Sequence, residues 1–193
     1  MVAATRELLA EGVTATVEQA ADRAGVSRTT AYRYFPNQRA LLIAAYPVLD
    51  TASLLDADAP EDPDARLAIV VDRFTRQVLE HEPELRAMLR LSLESPAAQP
   101  AALPLRQGRA IRWIDEALAP LRKRMAGARV RRLVLAIRAT TGIEALVWLC
   151  DVAGLSRDEA TKVMKWSAAS LLQAALLEAG RSPSDRSVGS RTR

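Results

Sequence analysis

The amino-acid sequence predicts an all-helical chain. Apolar residues recur at three- and four-residue spacing, β-branched alternation is nearly absent, and side chains able to cap helices stand in front of several of the periodic segments. At 193 residues and 49% apolar composition the chain is long enough to bury a sizeable core.

The first helix is expected from about Ala3 to Glu11, ending at Gly12. Thr16 can cap a second helix while Gln19, three residues on, reaches back, which makes a capping box. Val17, Ala20, Ala21 and Ala24 give that helix a small apolar face. Gly25 suits the left-handed backbone that closes a helix, and Ser27 can cap a third one, so the segment reads helix, Gly-containing turn, helix. Pro36 cannot extend the third helix, and Asn37 caps a fourth that runs to Tyr46, where Pro47 kinks or ends it.

Residues 51 to 64 are acidic and proline-containing, the texture of a linker or loop. Asp62 and Pro63 then start a fifth helix with Leu67, Val70, Val71, Phe74 and Val78 as its stripe. Pro83 opens a sixth with Leu85, Met88 and Leu89. Pro96, Pro100 and Pro104 separate it from a seventh, in which Ile111, Ile114, Leu118 and Leu121 form a face and Pro120 bends the end. The last two helices are the longest, about Ala128 to Ala153 and Ser156 to Gly180, with Gly154 closing the former. The tail from 181 to 193 is polar and without period, and is expected to be disordered.

Composition excludes several classes. No run approaches the roughly 18 uninterrupted apolar residues of a membrane span, and no secretory pattern opens the chain, which places it in the cytoplasm with no membrane partner. One cysteine, Cys150, and one histidine, His81, rule out an internal disulfide and a His/Cys metal site within one chain, so neither metal nor cofactor is expected. An enzyme is disfavoured, because there is no nucleophile motif and no Gly-rich phosphate loop. The net charge of +4 is unevenly spread: residues 1–50 are neutral, 51–100 acidic, 101–150 strongly basic. Arg23, Arg28, Arg33 and Arg39 share one stretch without an intervening acid, whereas the cluster Arg122, Lys123, Arg124, Arg129, Arg131 and Arg132 reads as a solvated helix junction.

The stretch "AGVSRTTAYRYF", Ala24 to Phe35, holds the unusual chemistry. In a two-turn helix from Arg28 to Tyr34, Ala31, Tyr34 and Phe35 are expected to face inward, leaving Arg28, Thr29, Thr30, Tyr32 and Arg33 outside. Arginine can take guanine edges or phosphate, threonine offers a hydroxyl and a methyl, and tyrosine reaches backbone oxygens. The serine-capped start adds N–H groups and a positive dipole end that favour phosphate. Periodicity and charge alone leave a DNA reader and an ordinary two-helix surface equally open.

The segment "TVEQAADRAGVSRTTAYRYFPNQRALL", Thr16 to Leu42, closely resembles the DNA-binding signature of the TetR family of bacterial transcription regulators. The likeness lies in the cap Thr16, the "AGVS" turn, the Tyr32-Arg33-Tyr34-Phe35 end and the "LL" of the fourth helix. It implies that Arg28, Thr29 and Thr30 open the recognition helix facing bases, and that Thr16, Tyr32 and Tyr34 lie at phosphate-contacting positions. Ser27, Arg33 and Gln38 complete the expected DNA-binding set. The resemblance implies a helix-turn-helix DNA-binding domain over 1–46, a larger helical ligand-binding and dimerisation domain over 47–180, and the tail 181–193. The chain departs from the pattern in four places. A basic arm and a longer first helix commonly precede the region where this chain begins, so either the start lies upstream or arm contacts are absent. Gln38 stands where lysine is usual, Ala20 where isoleucine is common, and Thr29 where glycine is frequent.

One such module buries only roughly 600 to 1,000 Å² on DNA, so specificity calls for two half-sites and a homodimer. The final two helices suit such an interface, because Val163, Ser167, Ser170 and Ala174 make a small-residue ridge, and Met164, Ala168, Leu171, Leu172 and Ala175 add apolar area. The other reading of this stripe is intrachain core. A pocket among the middle helices is expected to draw on Trp113 and Trp148 as walls, with Arg109, Thr140, Thr141 and Glu144 as anchors and His81, Met88 and Cys150 nearby. The expectation is a homodimeric DNA-binding transcriptional regulator, a repressor acting on a double-stranded operator and released by an unknown small-molecule effector through the fourth helix. The alternative is a helical small-molecule-binding protein without DNA binding.

Overall fold

The computed structural model describes residues 1–46, 51–94 and 108–180. Among these there are ten α-helices and no strand: α1 Val2–Ala10, α2 Val17–Ala24, α3 Arg28–Tyr34, α4 Gln38–Ala45, α5 Pro63–Glu80, α6 Glu82–Glu94, α7 Arg109–Ala117, α8 Gly127–Ala139, α9 Ile143–Val147 and α10 Arg157–Gly180. The expected end at Pro47, the proline-rich break of Pro96, Pro100 and Pro104, and the tail lie outside the described residues. The described residues fall into two compact units, one within 1–51 and 76–108, the other within 52–75 and 109–193.

In the first unit α1 packs on α2, α4 and α6, α2 on α3, and α4 on α6. One buried cluster in it comprises Leu8, Ala15, Val17, Ala20, Ala21, Ala31 and Leu41, with Met1, Val26 and Phe35 against it. Four alanines among seven residues let the helix axes approach closely. The Arg6 Nε donates to the Ala45 carbonyl at 2.9 Å, giving one of the unsatisfied carbonyls at the end of α4 a partner from α1.

In the second unit α7 and α10 both pack on α8, and α10 also contacts α9. Trp113 is buried and meets the Phe74 ring edge-on, with centroids 6.0 Å apart. Lys165 Nζ pairs with Asp72 at 2.5 Å and Gln173 with Asp64 at 2.7 Å, tying α10 to the first part of α5. Asp62 caps α5, its Oδ2 accepting from the Ala65 N–H at 2.9 Å. The acidic segment before it is anchored by Leu54, which is buried, and by Arg73, which donates to the Leu54 carbonyl and to Asp56.

Two expectations are corrected. The long helix from Ala128 to Ala153 is broken. α8 stops at Ala139 because the Thr140 and Thr141 hydroxyls both donate back to the Ile137 carbonyl, at 3.0 and 2.9 Å. Gly142 then takes φ +92, and α9 begins at Ile143. Arg138 bridges the break: its Nη1 donates to the Thr141 carbonyl and its Nη2 to both Glu144 oxygens. α9 passes into a wider turn at Trp148–Val152, closed by Ala153 N–H on the Trp148 carbonyl. The stripe on the last helix is the second correction. Met164, Ala168 and Leu172 are buried inside this chain, so they belong to its own core. Of the residues expected beside them, Val163 and Ala174 are exposed and Ser167, Ser170, Leu171 and Ala175 half-buried.

Candidate nucleic-acid interface

The first unit presents α3 through three successive local devices. Thr16 Oγ1 accepts from the Gln19 N–H at 3.2 Å while the Gln19 side chain accepts from the Thr16 N–H at 2.9 Å, so α2 starts with a complete capping box. At the other end Gly25 sits at φ +65, a left-handed backbone that costs a residue with a Cβ about 1 kcal/mol or more. The next amide, of Val26, donates to the Ala21 carbonyl at 2.9 Å, and the Val26 side chain packs on the core. Ser27 then caps α3: its Oγ accepts from the Thr30 N–H at 3.3 Å and donates to the Thr30 hydroxyl at 2.9 Å.

With both ends fixed, one stripe of α3 faces the core. Ala31 is fully buried and Phe35, one turn on, is packed against the same cluster. Ser27, Arg28, Thr29, Thr30, Tyr32, Arg33 and Tyr34 are all exposed. Contrary to the expectation from sequence, Tyr34 does not face inward. It is 65% exposed, because only the i, i+4 pair Ala31 and Phe35 lies on the inner stripe of so short a helix. Arg33 lies over the Tyr34 ring at 5.1 Å and donates to its hydroxyl at 3.2 Å, which braces both side chains outside.

The charges around this face are arranged unequally. Arg23 turns away from it, held bidentate by Glu11 at 2.8 and 2.9 Å with Glu7 at 3.7 Å. Its hydrogen bonds lower the Glu11 pKa and raise that of Arg23, and its charge serves the α1–α2 contact. Glu18, on α2, does lie at the face: the Tyr32 hydroxyl donates to its Oε1. That hydrogen bond lowers the Glu18 pKa and raises that of Tyr32, and Arg28 lies near enough to depress the Glu18 carboxyl further. Glu18 is absent from the set expected from the sequence. Nothing in a residue 14 positions before Tyr32 signals the pairing until the turn between α2 and α3 is built.

Gln38 is half-buried at the start of α4, and one of its amide hydrogens goes to the Ala15 carbonyl at 2.9 Å. From the other side α6 reaches the same loop, where Arg90 Nη1 donates to the Thr14 hydroxyl at 3.1 Å. The cap residue Thr16 therefore follows two residues that are moored by two different helices. A family model described as bacterial regulatory proteins, tetR family, matches residues 1–45. These 45 residues are a TetR-family DNA-binding domain. A search of curated proteins finds no match to the chain.

The residues expected around a ligand pocket are distributed over both units of this TetR-like chain. His81, half-buried, and Met88, fully buried, belong to the first unit. In the second, Trp113 is core, Thr141 is fully buried on the Ile137 carbonyl, and Thr140 makes the same bond from a half-buried position. Glu144 is exposed and paired with Arg138, Arg109 is half-buried, Cys150 is half-buried, and Trp148 stands 59% exposed. Two grooves run along α10, and neither includes any of these. One, of about 250 Å³, is lined by Leu67, Ala68, Val71, Ala168 and Leu172 with Asp64 and Lys165 at its rim. The other, of about 280 Å³, lies between α8 and α10 over Leu133, Ala136, Leu171, Ala174 and Ala175.

No single helix among the described residues is long and apolar enough to cross a membrane. Among the same residues, no group of three His, Cys, Asp or Glu side chains is placed to hold a metal ion.

Proposed function

We propose that the chain is a homodimeric, sequence-specific transcriptional regulator that represses by occupying operator DNA and releases it on binding a small-molecule effector. The observation that supports it most is the outer face of α3: six polar or cationic side chains stand exposed behind a serine cap while Ala31 alone is buried. Arg28, Thr29 and Thr30 open the helix and read base edges in the major groove. Thr16, Tyr32 and Tyr34 hold phosphates, joined by Ser27, Arg33 and the remaining amide hydrogen of Gln38.

The second copy is recruited through α8, the wider turn after α9, and α10. Leu135 on α8, Trp148 and Val152 on the wider turn that follows α9, and Val163, Trp166 and Leu177 on α10 are large apolar side chains left exposed there. Two exposed tryptophans in one unit favour burial against a partner over permanent contact with water. A two-fold axis at this face buries the same residues twice and supplies a second α3; dimers that read DNA with such helices take half-sites about one DNA turn apart, or a multiple of it. The effector is held by the second unit, and it acts only to the extent that it binds the DNA-incompetent dimer more tightly than the competent one.

Selection of duplexes from a random pool by the purified chain tests the reading. A common, two-fold-related sequence is expected, bound with an affinity that falls by roughly 0.9 log units per log unit of salt for each phosphate neutralised. A chain that enriches no sequence, and whose weak binding ignores salt, refutes it.

A further inference from the structure

The contact between Tyr32 and Glu18 points beyond the reading face to its control. A phenol has one proton, and here it is donated to a carboxylate on the neighbouring helix. A phosphate oxygen is also only an acceptor. Tyr32 therefore cannot hold Glu18 and a DNA phosphate with the same hydrogen. Glu18 is half-buried on α2, while Tyr32 is 42% exposed and projects from the exposed side of α3. Arg28, one turn before Tyr32 on the same helix, acts on the same carboxylate. The anion thus faces two of the groups assigned to DNA.

We infer that Glu18 is a built-in competitor for DNA, its carboxylate taking on Tyr32 the place of a backbone phosphate, so that every binding event exchanges one anion for another. The inference rests on the DNA-binding reading above. Its consequence is discrimination in absolute affinity. A phosphate contact is the same on every sequence, so holding Tyr32 back lowers the affinity for all duplexes and leaves the base contacts of Arg28, Thr29 and Thr30 to lift the operator above that lowered floor. Exchange also conserves the number of hydrogen bonds that Tyr32 makes to an anion: one is lost as another forms.

The test is a double-mutant cycle on the full chain with Glu18→Gln and Tyr32→Phe, titrated against the pool-selected duplex and an unrelated duplex at low and high salt. Glu18→Gln is expected to tighten binding to both duplexes by roughly three- to tenfold, since an amide is a weaker acceptor than a carboxylate. Most of that gain is expected to survive high salt and to vanish in the Tyr32→Phe background. A gain of equal size with Phe at position 32, fading as salt rises, means that Glu18 acts only through its charge, and overturns the inference. The hydroxyl itself gives a readout without DNA: followed by NMR, the Tyr32 phenol should titrate above the ordinary tyrosine range and fall back toward it in Glu18→Gln. An unmoved titration shows that the contact is absent in solution and overturns the inference directly. If the wild-type chain binds no duplex while the Tyr32 titration does move, it is the DNA-binding reading that fails, and the competitor loses its object.

Discussion

Thr16 carries two roles that a single substitution removes together, and the capping box supplies the means to separate them. Thr16→Ala deletes the oxygen that accepts from the Gln19 N–H and also the hydroxyl proposed to hold a phosphate. Gln19→Ala deletes the reciprocal half of the box, the acceptor of the Thr16 N–H, and leaves the hydroxyl in place. Loss of an N-cap costs about 1 kcal/mol. For a chain of this size that is a fall of roughly 2–4 °C in the melting temperature of Thr16→Ala. Gln19→Ala, which gives up one hydrogen bond of the box but keeps the cap, is expected to fall by no more than that. DNA affinity is expected to divide them. A neutral hydrogen bond contributes about 0.5–1.5 kcal/mol, and a two-fold dimer makes it twice, so Thr16→Ala should weaken duplex binding by roughly five- to 150-fold with an unchanged salt slope. Gln19→Ala, measured at a temperature where both variants are fully folded, should stay close to wild type. The assay is fluorescence anisotropy at several salt concentrations alongside thermal melting. Equal losses of affinity in the two variants would show that the hydroxyl acts only as a cap, and a wild-type melting temperature in both would show that the box does not stabilise α2.

Three further outcomes are expected. Gly142→Ala places a Cβ 2.8 Å from Arg138 Nη1 at a residue with φ +92, and should destabilise the second unit by about 1–3 kcal/mol, read as a lowered urea midpoint. Trp166→Arg, at a position 69% exposed, should leave the melting temperature of the chain at low concentration nearly unchanged and halve its mass in light scattering; an unchanged mass removes α10 from the dimer face. The carboxyls of Glu11, Asp56 and Glu159 are held below their ordinary values, chiefly by hydrogen bonds from Arg23, Arg73 and Ser156. Groups depressed in the folded state contribute stability above their unfolded pKa and lose it as pH falls through the folded one. Stability should therefore be insensitive to these groups at neutral pH and decline below about pH 4, less steeply in high salt and in Glu11→Gln, as followed by urea unfolding at each pH.

The local features of the fold were legible in the sequence because they need only near neighbours. Thr16 with Gln19, Gly25, Ser27 and Asn37 each act within three or four residues, and each does what its chemistry predicts. The break after Ala139 was equally local, in the run Thr140-Thr141-Gly142, yet the apolar period continues through it from Ile137 to Ile143 and Leu146 and masks the stop. The orientation of Tyr34 was not legible, because i, i+3 and i, i+4 positions differ little on a helical wheel, while in two turns only one pair reaches the core. The stripe of Met164, Ala168 and Leu172 shows a different limit: periodicity identifies a face that must be buried and is silent on whether the cover comes from the same chain. Glu18 facing Tyr32 and Arg90 reaching Thr14 required the turns between helices, which single-residue patterns do not encode.

The mooring of the loop before Thr16 bears on how induction would look to an experimenter. Thr14 is tied to α6 and Ala15 to α4, whereas the start of α3, proposed to read bases, is held by its own cap and by Ala31. In the proposed complex a shift of α6 therefore reaches Thr16, assigned to a phosphate, before it reaches Arg28, Thr29 and Thr30, assigned to bases. Partial induction should then loosen the protein's grip on cognate and scrambled duplexes in equal proportion, leaving its preference between them intact until it lets go.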